Sequence, residues 1–175
     1  MTFKTKELGT VKSAMALAMA ALFPLGGARA PHVGEPELLL SGLDGAQGST
    51  VGPDGKLYVT EGRAGTIRRV DPVNGSTSLF ASGLPQQIPS VGIVGPVDVA
   101  FLGNTAYALV TLVGSDVGGS SVVGIYRVDS PTSSTLIADI GAFSLAHPPS
   151  TDFFIPTGVQ YALETYRGDL LVSDG

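Results

Sequence analysis

The chain has 175 residues, a formal net charge of −5, 24 Gly, 12 Pro, no Cys and no Trp, and only 14% of its residues are charged. Its 43% of hydrophobic residues exclude a disordered chain, and its density of Gly and Pro excludes a helical bundle, which leaves short strands joined by turns. The absence of Cys excludes disulfide frameworks, thiol nucleophiles, thiolate zinc sites and iron–sulfur clusters.

Residues 1–30 have the three regions of a secretory signal peptide. Lys4, Lys6 and Lys12 are followed by an apolar run at 13–25 and by small residues at 26–30. The run is too short to span a bilayer core of about 30 Å. We therefore expect a secreted or periplasmic protein with no membrane insertion after signal removal; the alternative is a buried N-terminal helix.

The predicted mature chain, residues 31–175, is more acidic than the whole. The leader contains four of the ten basic and one of the fifteen acidic residues, so its removal changes the net charge from −5 to −8. Such a surface repels phosphate backbones and anionic lipids. Nucleic acid is therefore not expected as a partner.

The mature chain is predicted to begin with an outermost strand at residues 37–43. The segment 38–43 (LLLSGL) resembles residues 79–84 (LFASGL), which end a later strand. In closed propellers such a strand completes the last blade, and we call this segment the latch strand.

Residues 47–84 have the pattern of one four-stranded propeller blade. Pro53-Asp54-Gly55 forms a turn, and the following residues 57–60 alternate as in a strand. Two further strands are predicted at 66–70 and 76–81, separated by a turn at 71–75.

The pattern recurs at residues 96–140, a second blade, and at 156–175, the start of a third. Tyr107 follows Tyr58 by 49 residues at the same place in the repeat. Two and a half blades cannot close a ring of at least four. The sequence thus predicts an all-β propeller that is incomplete here, with its own missing C-terminal half as a partner; the alternative is an open sandwich.

Several of these segments resemble the ScyD/ScyE family of secreted bacterial β-propeller proteins. They are residues 40–45 (LSGLDG), residues 52–61 (GPDGKLYVTE) and the Ile-x-Arg-Val-Asp strand at 67–71. The resemblance implies a fold and a location, but no reaction and no ligand. More broadly, the chain is similar to NHL-type and gluconolactonase-type propellers.

The similarity to the lactonases suggests a test for a metal site in the central channel. Those enzymes hold a divalent cation with a Glu from a G-E-G-P segment, an Asn from P-N-G, and a later Asp. Here Gln47 stands where the Glu would fall, and the P-N-G positions read Pro-Val-Asp98 and Pro-Thr157-Gly. Two ligands are therefore absent. No cofactor is predicted, with calcium as the alternative.

Glu61 and Asp174 occupy equivalent positions after the second strand of their blades. With Arg63 they could converge as a polar or cation-binding cluster on one face; the alternative is that each acidic residue begins a turn. Catalytic residues remain unknown.

Two connections are long for a blade, residues 112–121 and 141–154, and long propeller loops often carry binding. Phe143 and His147 give the second connection an aromatic character, although it could be a tolerated insertion. The sequence favours a non-catalytic binding or scaffold module that uses its loop face to bind a small molecule or protein. The alternative is a lactonase or sugar dehydrogenase whose decisive residues follow residue 175.

Overall fold

The described part of the chain is made of ten antiparallel strands and one short helix. The computed structural model describes residues 35–152 and 155–175, so the predicted signal peptide lies outside the described residues. The strands are β1 (Ala46–Val51), β2 (Leu57–Glu61), β3 (Thr66–Val70), β4 (Thr77–Ala81), β5 (Gly95–Leu102), β6 (Thr105–Thr111), β7 (Gly124–Ser130), β8 (Ser133–Asp139), β9 (Gln160–Tyr166) and β10 (Asp169–Asp174), and the helix is α1 (Ile140–Ala146).

The strands form three sheets in which every neighbour in the sheet is a neighbour in the chain. Two sheets have four strands, in the orders β1-β2-β3-β4 and β5-β6-β7-β8, and β9 and β10 form a hairpin. Tight turns permit this order: Gly55 has φ 74°, and the Asp54 carboxylate accepts a hydrogen bond from Lys56 N at 3.1 Å. Each four-stranded meander has the connectivity of a propeller blade.

The sheets pack face to face through apolar side chains. Tyr58 of the first sheet packs edge-on against Phe80 of the same sheet and against Phe101 of the second sheet, with ring centroids 4.7 Å apart in both pairs. The other face of the second sheet packs on the β9–β10 hairpin through Leu109 and Leu163. The second sheet is therefore covered on both faces, which explains the apolar run in β6.

The first strands of the three sheets lie side by side, with β5 between β1 and β9. This is the arrangement of innermost strands in a propeller, and the predicted all-β propeller class is confirmed. Gly48 shows how close the strands are: a Cβ on this residue would lie 2.4 Å from the Asp98 carboxylate and 2.5 Å from Val97 O.

The structure differs from the sequence prediction in one segment and does not test another. Residues 37–43, predicted as the latch strand, do not form a strand with any of the three described sheets, and the last blade that they were predicted to complete is not among those sheets, so the latch strand stays a prediction. The connection at 141–154, predicted as a loop, begins as helix α1, whose N-terminus is capped by the Asp139 carboxylate accepting from Ala142 N at 2.7 Å.

Candidate functional site

All the residues selected from the sequence lie toward one edge of the sheets, which we call the loop edge. In an antiparallel meander, the first strand of each sheet begins at the edge where the second strand ends. The loop edge therefore collects the starts of β1, β5 and β9, the ends of β2, β6 and β10, and the β8–β9 connection. It carries the following candidates: Gln47, Glu61, Arg63, Asp98, Phe143, His147, Thr157 and Asp174.

Glu61, at the end of β2, is buried, with 2% of its side chain exposed. Its carboxylate accepts hydrogen bonds from Asp44 N at 2.9 Å, from Thr66 Oγ1 at 2.5 Å and from Arg68 Nε at 2.9 Å. Burial alone would raise the pKa of Glu61, but the bonds from Thr66, Asp44 and Arg68 outweigh it, and the pKa is lowered. This is the geometry of a structural ion pair, and the bond from Asp44 N also fixes the segment before β1 to the end of β2.

Arg63 and Gln47 lie near Glu61 but are open to solvent. Arg63 is 67% exposed and forms an ion pair with Asp44 at 3.1 Å. Gln47 is exposed, and its Cγ lies 3.5 Å from the place where a Cβ on Gly62 would stand. The acidic partner of Arg63 is therefore Asp44, which also donates its backbone N–H to Glu61.

Asp98 joins the second sheet to the third at a β-bulge in β5. One carboxylate oxygen accepts from Val99 N and the other from Leu163 N of β9, both at 2.9 Å. Burial raises the pKa of Asp98, and the hydrogen bonds from Leu163 and Val99 only partly offset it. Its contacts make Asp98 a connection between strands rather than a free ligand.

Asp174, in the position equivalent to Glu61, is exposed and has different partners. One oxygen accepts from Val159 N at 2.9 Å, and the other accepts from Gln160 Nε2 at 3.0 Å and Ser144 Oγ at 3.3 Å. Among the described residues, Glu61 and Asp174 share no hydrogen-bond partner and Arg63 is paired with Asp44, so the expected cluster of Glu61, Arg63 and Asp174 stays a prediction.

Thr157 lies beside this network and links the segment before β9 to the connection at 112–121. Its backbone N–H and its Oγ1 both donate to the Asp116 carboxylate, at 3.1 Å and 2.8 Å. Asp116 belongs to a 3₁₀ turn, Ser115–Val117, in the connection at 112–121. The Thr157 carbonyl accepts from Gln160 Nε2 at 3.1 Å.

A cleft of about 480 Å³ opens between α1 and the end of β10. Its lining includes Phe143, Ser144, His147, Thr151, Asp152 and Asp174. Three of the residues selected from the sequence, Phe143, His147 and Asp174, thus meet in one cavity. A volume in this range is typical of small-molecule sites.

The floor of the cleft on the helix side is aromatic. Phe143 lies on α1 and His147, four residues later, is the residue that caps its C-terminus; their rings stack with centroids 4.3 Å apart and an angle of 25° between the planes. The His147 ring nitrogen Nδ1 lies 2.9 Å from Phe143 O, which holds the imidazole in this orientation. Phe143 nevertheless keeps 63% of its surface exposed.

The positions that correspond to lactonase metal ligands do not form a metal site among the described residues. Gln47 is exposed, Val97 is buried, and Thr157 is bonded to Asp116. Within residues 35–152 and 155–175, no group of three or more His, Asp or Glu is arranged to hold an ion. The same described residues contain no helix with the length and hydropathy needed to cross a membrane.

Sequence reasoning missed two buried threonines that join neighbouring sheets. Thr60 of β2 contacts Gly48 O and Val97 O through its Oγ1, at 3.2 Å and 3.3 Å. Thr111 of β6 donates to Gln160 Oε1 at 2.8 Å. In each case the second strand of one sheet forms a hydrogen bond with the first strand of the next sheet. A Thr near the end of an otherwise apolar strand was the sequence signal that could have indicated these bonds.

Comparisons with known proteins give little beyond the fold. No family model matches the chain, and no curated protein matches it. Among solved structures, the chain is similar to the PQQ-bound aldose sugar dehydrogenase of Streptomyces coelicolor, with 23% sequence identity and a TM-score of 0.45. The match covers 58% of this chain and 32% of the dehydrogenase chain. The comparisons assign no family and no activity to this chain.

Proposed function

We propose that this chain is part of a secreted or periplasmic β-propeller of the ScyD/ScyE type that acts as a non-catalytic binding module through its loop edge. The observation that carries the proposal is the cleft beside α1, where Phe143, His147 and Asp174 meet. These residues come from two separate parts of the chain. The cleft therefore exists only in the folded protein, as a binding site must.

The exposed Phe143 ring supports binding over a purely structural role. A phenyl ring buried in the core contributes through the area removed from water, but Phe143 leaves most of its surface in solvent. An exposed aromatic side chain at a concave site is a common contact for small ligands. The neighbouring carboxylates of Asp152 and Asp174 supply polar groups that can orient a ligand.

The direct test is a fragment screen by saturation-transfer difference NMR on the full chain, with neutral, cationic and anionic compounds. We expect fragments that bind the chain and that lose binding in Ser144→Trp, because the indole would occupy the cleft. Ser133→Trp, at an exposed site at the start of β8, is the matched control and should retain binding. The absence of fragment binding, or binding that survives Ser144→Trp, would contradict the proposal.

A further inference from the structure

The chemistry of the cleft narrows the class of ligand, if the proposed binding function holds. The cleft has an aromatic side, formed by Phe143 and His147, and an acidic side, formed by Asp152 and Asp174. None of the described residues that line it is Lys or Arg. A ligand that matches both sides needs an apolar ring and a positive charge.

The charges at the loop edge around α1 strengthen this requirement. The Asp139 carboxylate caps α1, and the Asp116 carboxylate accepts hydrogen bonds from Thr157. The β9–β10 hairpin contains one Arg, Arg167. Arg167 lies in the β9–β10 turn, at the edge opposite the loop edge, and its guanidinium packs over the Tyr166 ring at 5.0 Å. The cleft is therefore in an anionic region without a nearby Lys or Arg side chain among the described residues that line it.

Phe143 can contact a cation directly as well as a ring. The face of a phenyl ring carries partial negative charge, so organic ammonium groups bind against it. One face of the Phe143 ring packs on His147, and the large exposed area leaves room for a ligand. Stacking on the imidazole fixes the ring, which reduces the entropy lost on binding.

We propose that the cleft binds a small aromatic organic cation. The ring of the ligand stacks on Phe143 beside His147, and its ammonium group lies between the carboxylates of Asp152 and Asp174. Asp174 is already oriented by its bonds to Val159 N, Gln160 Nε2 and Ser144 Oγ, so it presents a fixed charge.

The test compares benzyltrimethylammonium, benzyl alcohol and phenylacetate as ligands of the full chain, by NMR titration at low salt. We expect the cation to bind about tenfold more tightly than the alcohol, and phenylacetate to bind most weakly. Raising the salt concentration to about 0.5 M should weaken binding of the cation several-fold and leave binding of the alcohol unchanged.

Variants locate the effect in the cleft. Phe143→Leu and Asp152→Asn should each weaken binding of the cation by about threefold to tenfold. Leu145→Ala is the matched control on the same helix, because Leu145 is 57% exposed and does not line the cleft; Asp169→Asn is the control for charge on β10. Both controls should bind like the parent chain.

Each outcome bears on a different statement. Equal binding of the cation and the alcohol in the cleft overturns the cationic class but leaves the binding module intact. Cation binding that Phe143→Leu and Asp152→Asn do not change overturns the assignment to this cleft. The absence of binding by all three compounds, together with no hits in the fragment screen, overturns both the ligand class and the proposed function.

Discussion

Glu61 and Asp174 end the second strands of two repeats, yet the protein uses them in opposite ways. Glu61 is buried and accepts hydrogen bonds from a backbone N–H, a hydroxyl and a guanidinium, one of which comes from the segment before β1. Asp174 is exposed and its carboxylate borders a cleft. The position in the repeat therefore fixes where a carboxylate lies, and the neighbouring loops decide whether it is structural or available.

The largest effect is expected from removing the charge of Glu61. Glu61→Gln places an amide NH₂ among groups that all donate, so at least one of them loses its acceptor in a buried site. We expect the free energy of unfolding to fall by about 2–4 kcal/mol, measured by chemical denaturation. Glu164→Gln, at an exposed site in β9, is the control and should change it by less than about 0.5 kcal/mol. Equal effects at the two sites would contradict the structural role of Glu61.

A smaller loss is expected when Thr111 loses its hydroxyl. Thr111→Val keeps the shape but leaves Gln160 Oε1 without a donor and Gln160 N without an acceptor, in a fully buried site. The free energy of unfolding should fall by about 2 kcal/mol. Thr135→Val, whose hydroxyl bonds an exposed Asp129 carboxylate, should lower it less. If both substitutions cost the same, the link between the second and third sheets is not stabilising.

Acidification should reduce the contribution of Glu61 gradually. Because the pKa of Glu61 is lowered in the folded chain, its stabilisation is complete above the ordinary Glu pKa of about 4.3 and is lost as the pH falls through the lower folded value. The pKa of Asp98 is raised in the folded chain, so acidification changes its contribution to the free energy of unfolding in the opposite direction. Because Asp98 is present in both the parent chain and Glu61→Gln, this contribution cancels in the difference between them. Denaturation between pH 7 and pH 3 should show the difference between the two proteins narrowing; a constant difference would contradict this.

The smallest effect on stability is expected at Asp174. Asp174→Asn removes a charge from an exposed carboxylate and keeps one oxygen to accept from Val159 N, while Gln160 Nε2, which loses Asp174 as an acceptor, keeps the Thr157 carbonyl. We expect the free energy of unfolding to fall by about 1 kcal/mol or less. A loss as large as that of Glu61→Gln, in the same denaturation experiment, would show that Asp174 also has a mainly structural role.

The sequence was sufficient to predict the sheets but not the contacts between them. The repeat of Pro53-Asp54-Gly55 turns and alternating strands predicts the order of elements, because those signals are local. The hydrogen bond from Leu163 N to the Asp98 carboxylate could not be predicted, because it depends on how closely β5 and β9 approach each other. The ion pairs of Arg69 with Asp54 and of Lys56 with Asp71 could not be predicted either, because each joins residues that are 15 positions apart in the chain.

The cleft was predicted only in part. An aromatic connection with Phe143 and His147 could be recognised from composition, but helix α1 could not, because its seven residues contain a Gly and no charged side chain. The helical spacing of four residues is what stacks the two rings. The partner strand β10 contributes Asp174 from a distant part of the chain, which no local pattern could show.

The hydroxyl bonds of Thr60 and Thr111 have a consequence for the geometry of a ring. Apolar faces pack well over a range of tilts, so each sheet could rotate slightly against the next without a large loss of contact area. A directional bond from each sheet to the first strand of its neighbour narrows that range. In a circular array the angular error of each step adds to the next, and a small error per blade becomes a gap. The two hydroxyl groups thereby help to keep the angle between successive blades constant.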